Sequence, residues 1–272
     1  MILFPNAKIN LGLNVTERRA DGYHNLETLF YPTGLSDILE VLPSDRFSFS
    51  TSGIAVDGDP EQNLVVKAYR MVEADFPLPP VAIHLHKLIP HGAGLGGGSS
   101  DGAFMLQLLN HQFKLSIAPQ NLTFYASRLG ADCSFFIYNR PALAEGIGDL
   151  LSPSEITLTG WHLVVVKPPF GVSTAGAFQQ MIPRKWQVPL AEVLKKPVEE
   201  WRGMLHNDFE PVIDERYPSI AKIRQTLYTS GAVYAAMSGS GSAVFGLFKE
   251  VPAELSSLFP SDHFYFHEEC KY

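Results

Sequence analysis

The chain has 272 residues, 46% of them hydrophobic and 18% charged, with a formal net charge of −7 at pH 7. These are the proportions of a globular protein, long enough for one large domain or two smaller ones. The acidic balance without a Lys/Arg cluster argues against a nucleic-acid binder. The absence of an apolar run of about 18 residues argues against a membrane-spanning helix, and the two cysteines, Cys133 and Cys270, suggest neither a zinc site nor a disulfide scaffold.

The opening MILFPNAKIN turns polar too soon for a signal peptide, so a reduced, cytoplasmic setting is expected. Ala7 to Val15 alternates apolar and polar, which predicts a half-buried strand. Arg18-Arg19-Ala20-Asp21-Gly22 is a turn signal. Further strands are expected over Leu26–Tyr31, Asp37–Leu42 and Phe47–Ser50. Asn63 is placed to cap a helix whose apolar face carries Val66, Tyr69 and Val72. Val81–Leu88 reads as a strand, and Phe104–Phe113 as a helix. Pro119 starts another helix that ends near Gly130, the usual early-proline, late-glycine asymmetry. Short strands are expected at Phe135–Tyr138 and Leu143–Glu145, and a domain boundary near 150–160.

Trp161–Val166 is an apolar strand, followed from Val172 by a helix with Ser173 as its cap. Pro189–Leu194, Val198–Leu205, Asp208–Ile213 and Ile220–Tyr228 read as helices. Val233–Met237 and Ala243–Phe248 read as a strand pair around Ser238-Gly239-Ser240-Gly241-Ser242.

Between the Val81 strand and the Phe104 helix runs Pro90-His91-Gly92-Ala93-Gly94-Leu95-Gly96-Gly97-Gly98-Ser99-Ser100. Glycines let a backbone approach a ligand closely, and a helix start offers unpaired N–H groups and the positive dipole end. Together they make an anion site, most often for phosphate. A Walker loop would need Lys-Ser or Lys-Thr after its last glycine, and none is there. The dinucleotide pattern is literally met by Gly92, Gly94 and Gly97, but no carboxylate falls in Phe113–Ala118, about 20 residues on. A protein kinase would also need H-R-D and D-F-G segments, which do not occur. A flexible linker would have neither the strand before it nor the helix after it.

Most of the other candidate residues have more than one reading. Lys8 is either a solvent-facing strand position or a site residue, and Asp132 is a cap, a turn residue or a site residue. Ser99 and Ser100 open the helix and read as N-caps. The 238–242 segment is a plain hairpin turn or a second glycine turn beside phosphates. Tyr23 and Phe178 are ordinary aromatics or stacking faces, and His24 is a turn histidine or a ligand contact.

Pro90, Gly94-Leu95-Gly96 and Ser99-Ser100 resemble the phosphate loop of the GHMP kinase superfamily, which phosphorylates small alcohols with ATP. FPNAKINLGLNV with Asp21-Gly22-Tyr23-His24, and Gly130-Ala131-Asp132-Cys133-Ser134-Phe135, resemble the branch that acts on a cytidine diphosphate-linked methylerythritol in the non-mevalonate isoprenoid pathway. The resemblance implies an α+β GHMP kinase fold. Its N-terminal domain (1–152) would be of the ribosomal protein S5 domain 2-like type, carrying the ATP loop. Its C-terminal domain (153–272) would be ferredoxin-like, with the active site in the cleft between them. It implies ATP and Mg²⁺, with no protein ligand of the metal identified. The substrate would be a small molecule with a cytidine diphosphate group, and the chain would work as a monomer or weak homodimer, with neither nucleic acid nor membrane as partner.

By the same resemblance Asp132 is the catalytic base and Lys8 its ionic partner. An ammonium beside a carboxylate favours the ionised base and steadies a developing alkoxide, and phosphoryl transfer needs mostly positioning and charge stabilisation. Residues 90–100 and Lys87 would bind ATP, with Ser238, Gly239, Ser240 and Gly241 as a further glycine motif. Asn10 would contact the methylerythritol portion, while Tyr23, His24 and Phe178 would hold the cytosine. Homoserine or mevalonate kinase, and a catalytically silent nucleotide-binding regulator, are the alternatives.

Overall fold

Strand β6 (Val81–Lys87) shows how alternation becomes structure: Val81, Ile83, Leu85 and Lys87 are buried, and the residues between them are half-exposed. The computed structural model, which describes residues 1–56 and 58–271, places β6 in a sheet of order β1-β4-β6-β5 with β1 (Ile2–Leu3), β4 (Ile38–Pro43) and β5 (Ser48–Gly53). β4 pairs antiparallel with β6, and β5 pairs parallel with it. Helices α1 (Leu64–Asp75), α2 (Gly97–Gln112), α3 (Pro119–Leu129) and α4 (Cys133–Tyr138) belong to the same unit. This unit comprises Met1–Lys8, Leu35–His91 and Gly96–Arg140. Its core joins Leu39, Val41, Ile83 and Leu85 of the sheet to Tyr69, Val72, Met105 and Leu109 of the helices.

The second unit comprises Ile9–Gly34, Gly92–Leu95 and Pro141–Tyr272. One of its sheets has the order β2-β3-β7-β8, formed by β2 (Asn6–Arg18), β3 (His24–Ser36), β7 (Ala142–Glu145) and β8 (Leu150–Pro153). The other has the order β10-β11-β9-β12, formed by β10 (Tyr234–Met237), β11 (Val244–Phe248), β9 (His162–Lys167) and β12 (Phe264–Glu269). Val164, Val166, Met237 and Val244 of this sheet share a core with Ile220, Ile223 and Leu227 of α8 (Pro218–Thr229). The unit also holds α5 (Thr174–Gln179), α6 (Leu190–Leu194) and α7 (Glu210–Arg216).

Several local signals act as read. Asn63 accepts from the Val65 N–H at the start of α1, and Ser173 accepts from the Gly176 N–H at the start of α5. Others differ. Phe135–Tyr138 is the helix α4, not a strand: four apolar residues suit either state, and Asn139 in the left-handed region closes a single helical stretch. Val198–Leu205 is no helix beyond a 3₁₀ turn at Val198–Glu200, because Gly203 takes φ +84°. Strand β2 is not half-solvated, since Lys8, Asn10 and Asn14 are as buried as their apolar neighbours. Ser99 and Ser100 do not cap α2. Gly96 occupies that position in the left-handed conformation, and both serines lie within the first turn. Strands β1, β8 and β12 carry too little pattern to be read in advance.

Lys87 is the odd member of the inward row of β6, and three elements surround its charge. Its Nζ pairs with Asp37 Oδ2 and lies 2.6 Å from Asp101 Oδ2 in α2. Asp37 Oδ1 also accepts from the N–H groups of Leu88 and Ile89, at 2.5 and 2.9 Å. Burial, only partly offset by Lys87, pushes the Asp101 carboxyl well above the usual carboxylate range. The protonated form of Asp101 is thereby favoured beside Lys87 and Asp37, which lowers the cost of burying three ionisable groups together. Replacing Lys87 by Met would leave the Asp37 charge buried without its ammonium. The expected outcome is a loss of about 3–5 kcal/mol in denaturant unfolding; a loss below about 1 kcal/mol would show that the backbone N–H groups alone suffice.

Candidate active site

In the first unit the chain enters the phosphate loop from β6 and leaves it into α2. The N–H groups of Gly97, Gly98 and Ser99 precede the first i to i−4 bond of α2, which runs from Ser100 N–H to Gly96 O at 2.9 Å. A methyl group at Gly96 would meet Lys8 Cε and Cγ at 3.2 Å and Phe136 Cζ at 3.0 Å, so the Lys8 side chain runs directly against the start of that helix. Its Nζ lies 3.4 Å from Asp132 Oδ2. The Lys8 side chain is 4% exposed and that of Asp132 34% exposed, so the carboxylate retains access to solvent. The next residue, Cys133, is inert: burial pushes its thiol up to about 12.

A cavity of about 330 Å³ opens beside the loop in this unit, lined among others by Phe49, Asn63, Leu64, His91, Gly98 and Asp101. Its size and mixed lining suit a small ligand. Pro90 is half-buried beside it in sequence. Lys87, read as a nucleotide contact, reaches the underside of the loop, since a methyl at Gly97 would lie 3.5 Å from its Nζ. That ammonium is engaged by Asp37 and Asp101. The buried Ser100 Oγ and Asp101 Oδ1 have no hydrogen-bond partner. Among the described residues, no group of three or more His, Cys, Asp or Glu side chains is arranged to hold a metal.

The second unit holds the other predicted residues. Gly92–Leu95 is fastened there by backbone bonds: Gly92 O accepts from the N–H groups of Val172 and Ser242, and Ala93 O from that of Ala243. Ser238 Oγ donates to Gly94 O at 2.8 Å. Gly94 takes φ +72°, and a methyl on it would sit 1.9 Å from Ser238 O, so no other residue fits. Leu95 is buried beside it in sequence. Asn10 donates its backbone N–H to Ser238 Oγ at 3.3 Å and its Nδ2 to Thr28 Oγ1 at 2.9 Å. Ser240 Oγ shares a 2.8 Å hydrogen bond with Thr174 at the start of α5. The turn from Ser238 to Gly241 thus joins the first half of the phosphate loop, β2 and α5.

Of the residues expected around the cytosine, the structure brings His24 and Phe178 together. The ring of Phe178 stacks on His24, with centroids 5.0 Å apart and an interplanar angle of 18°. Tyr23, the other aromatic expected to face the cytosine, is 62% exposed. Burial holds the His24 imidazole below its usual range, so the ring is neutral at pH 7 and can both donate and accept.

Family models described as GHMP kinases N terminal domain and GHMP kinases C terminal match residues 63–140 and 190–257. The chain is 56% identical over 252 residues to a 4-diphosphocytidyl-2-C-methyl-D-erythritol kinase of Bacteroides fragilis, covering 91% of this chain and 92% of that one. The chain belongs to this family of GHMP kinases. A crystal structure of 4-(cytidine 5'-diphospho)-2C-methyl-D-erythritol kinase, 35% identical, matches 91% of this chain and 90% of its own with a TM-score of 0.78. A homoserine kinase of Cytophaga hutchinsonii shares the fold at 15% identity, with a TM-score of 0.65 over 98% and 95% of the two chains. The GHMP kinase fold expected from the phosphate loop is therefore the fold of this chain.

The sequence reading passed over Asp37, Asp101 and the residues around Asn207, because none lies in a glycine motif. Glu210 is a further case. Its Oε1 accepts from the Met237 N–H, directly before the 238–241 turn, at 2.8 Å and lies 3.3 Å from Arg224. Burial, partly offset by Arg224, raises its carboxyl to about 6. The folded value lies above the ordinary glutamate value of 4.5, so the contribution to stability is present at acid pH and is lost as pH rises through about 6. Between pH 4.5 and 6.5 the wild type is expected to lose about 1.5 kcal/mol relative to Glu210→Gln. Parallel stability curves for the two proteins across that range would contradict it.

Proposed function

We propose that the chain transfers the γ-phosphoryl group of ATP to the 2-hydroxyl of 4-diphosphocytidyl-2-C-methyl-D-erythritol. The observation that carries this reading is the Lys8–Asp132 pair at 3.4 Å, with the lysine stem against Gly96 at the start of the phosphate helix. In this reading Asp132 takes the proton of the attacking hydroxyl. The new O–P bond forms as the bridging bond to ADP breaks, and Lys8 steadies the oxygen as it gains charge. The N–H groups at the start of α2 hold the phosphates, and the 330 Å³ cavity beside them takes the adenosine.

Lys87 contributes by fixing the loop from below. Ser100 Oγ, buried and without a partner, is an oxygen donor of the kind Mg²⁺ accepts. It would hold the ion together with the phosphates and water, and the ion would supply charge neutralisation at the phosphates. Asn10 and the 238–241 turn serve the alcohol and phosphate side. His24, Tyr23 and Phe178 serve the cytosine: the neutral imidazole offers a donor and an acceptor to the base edge, and the aromatic faces offer stacking worth about 1–3 kcal/mol.

The domain division at 152/153 falls between the two matched family segments. Both cysteines are free and buried, which supports a reducing, cytoplasmic setting. Among the described residues no helix is long and apolar enough to cross a membrane.

ADP release measured with the cytidine substrate, homoserine and mevalonate tests the reading directly. Turnover of the cytidine compound alone is expected, and turnover of homoserine without it would overturn the assignment. Asp132→Asn should lower kcat by about a thousandfold or more while ATP affinity stays within about twofold. Retained activity would remove Asp132 from the role of base. Phe178→Ala should raise KM for the cytidine substrate about tenfold and leave KM for ATP unchanged; equal KM values in mutant and wild type would refute the stacking role.

A further inference from the structure

The stretch Asn207-Asp208-Phe209-Glu210 belongs to none of the glycine motifs, yet each of its side chains grips a different part of the second unit. Its backbone runs beside β2: Leu13 N–H donates to His206 O, and Asp208 N–H donates to Leu13 O, both at 2.9 Å. Asn207 is 2% exposed. Its Nδ2 donates to Met237 O at 2.8 Å and Gly239 O at 2.7 Å, while its Oδ1 accepts from Phe209 N–H at 3.0 Å. Asp208 Oδ2 accepts from Val15 N–H at 2.8 Å and Asn14 Nδ2 at 2.7 Å, and its Oδ1 from Trp186 Nε1 at 3.0 Å. Phe209 meets Phe178 edge to face, with centroids 4.9 Å apart and an interplanar angle of 86°. Phe178 in turn stacks on His24.

We propose that Asn207 and Phe209 are positioning residues: Asn207 sets the 238–241 turn, Phe209 sets the ring of Phe178, and one backbone stretch thereby fixes two separate parts of the binding machinery. The inference rests on the reading above that gives the turn to the phosphate side and Phe178 to the cytosine.

The residue types follow from the geometry. Two carbonyl oxygens converge on Asn207 Nδ2, and an N–H points at its Oδ1, a pattern that a carboxamide satisfies completely. Aspartate would keep the size and the acceptor but would set a negative charge against two carbonyl oxygens in a buried place. Leucine at 209 would keep apolar volume but lose the perpendicular ring-to-ring contact with Phe178.

Steady-state kinetics of the full chain, with ATP and the cytidine substrate varied in turn, separate the two arms. Asn207→Asp is expected to raise KM for ATP, and the dissociation constant for ADP by calorimetry, about tenfold, with KM for the cytidine substrate nearly unchanged. Phe209→Leu is expected to do the reverse, raising KM for the cytidine substrate about fivefold. A merely structural role would lower melting temperature and active fraction and leave both KM values alone. Should Asn207→Asp fail to fold, Asn207→Ser keeps one donor and carries the same readouts. Unchanged KM values in both variants, or a joint rise of both values in each, would overturn the proposal. A wild type that ignores the cytidine substrate, while Asn207→Asp still weakens ADP binding, would strike the substrate assignment and leave the positioning of the turn standing.

Discussion

A run of backbone N–H groups at the start of a helix attracts an anion only if the chain before it leaves them uncovered. Here that requirement falls on Gly94 and Gly96. Both take positive φ, and both lie where a methyl group would collide, one with the Ser238 carbonyl and the other with Lys8 and Phe136. Each of the two glycines also fixes what packs against it. Lys8 has room beside Gly96 because that residue has no side chain, and Ser238 reaches the Gly94 carbonyl for the same reason. The candidate chemistry depends on this close packing of backbone against side chain.

The loop is stiffened on either flank by different means. On the β6 side the buried cluster of Lys87, Asp37 and Asp101 ties the strand end to α2 and to the turn before β4. On the 92–95 side the bonds run between backbone groups and through Ser238. The first device exploits charge in a place without water, where an unmatched ion would cost several kcal/mol. The second relies on neutral hydrogen bonds, each worth about 1 kcal/mol net but mutually supporting.

Much of this was legible in the residues. The alternation of β6, the cap at Asn63, the proline and glycine bounding α3 and the glycine loop itself each follow from a local rule, and the structure obeys them. Lys8 and Asp132 became legible only through family resemblance, since neither spacing nor periodicity links positions so far apart in the chain. Phe135–Tyr138 misled because a short apolar run fits two states equally well. The Asn207–Glu210 stretch was silent for another reason. Its bonds go to β2, the 238–241 turn and α5, and long-range partners leave no periodic trace in the sequence around them. The stacking of Phe178 on His24 was likewise invisible, because it depends on how α5 packs against the start of β3.

The upward push on the Asp101 carboxyl reaches beyond the loop it supports. A group that holds its hydrogen ion more tightly in the native chain than in the unravelled one gives it up on unfolding. Unfolding in the pH range between those two affinities therefore acidifies an unbuffered solution, and the stability that this one carboxyl lends fades as the medium turns more alkaline.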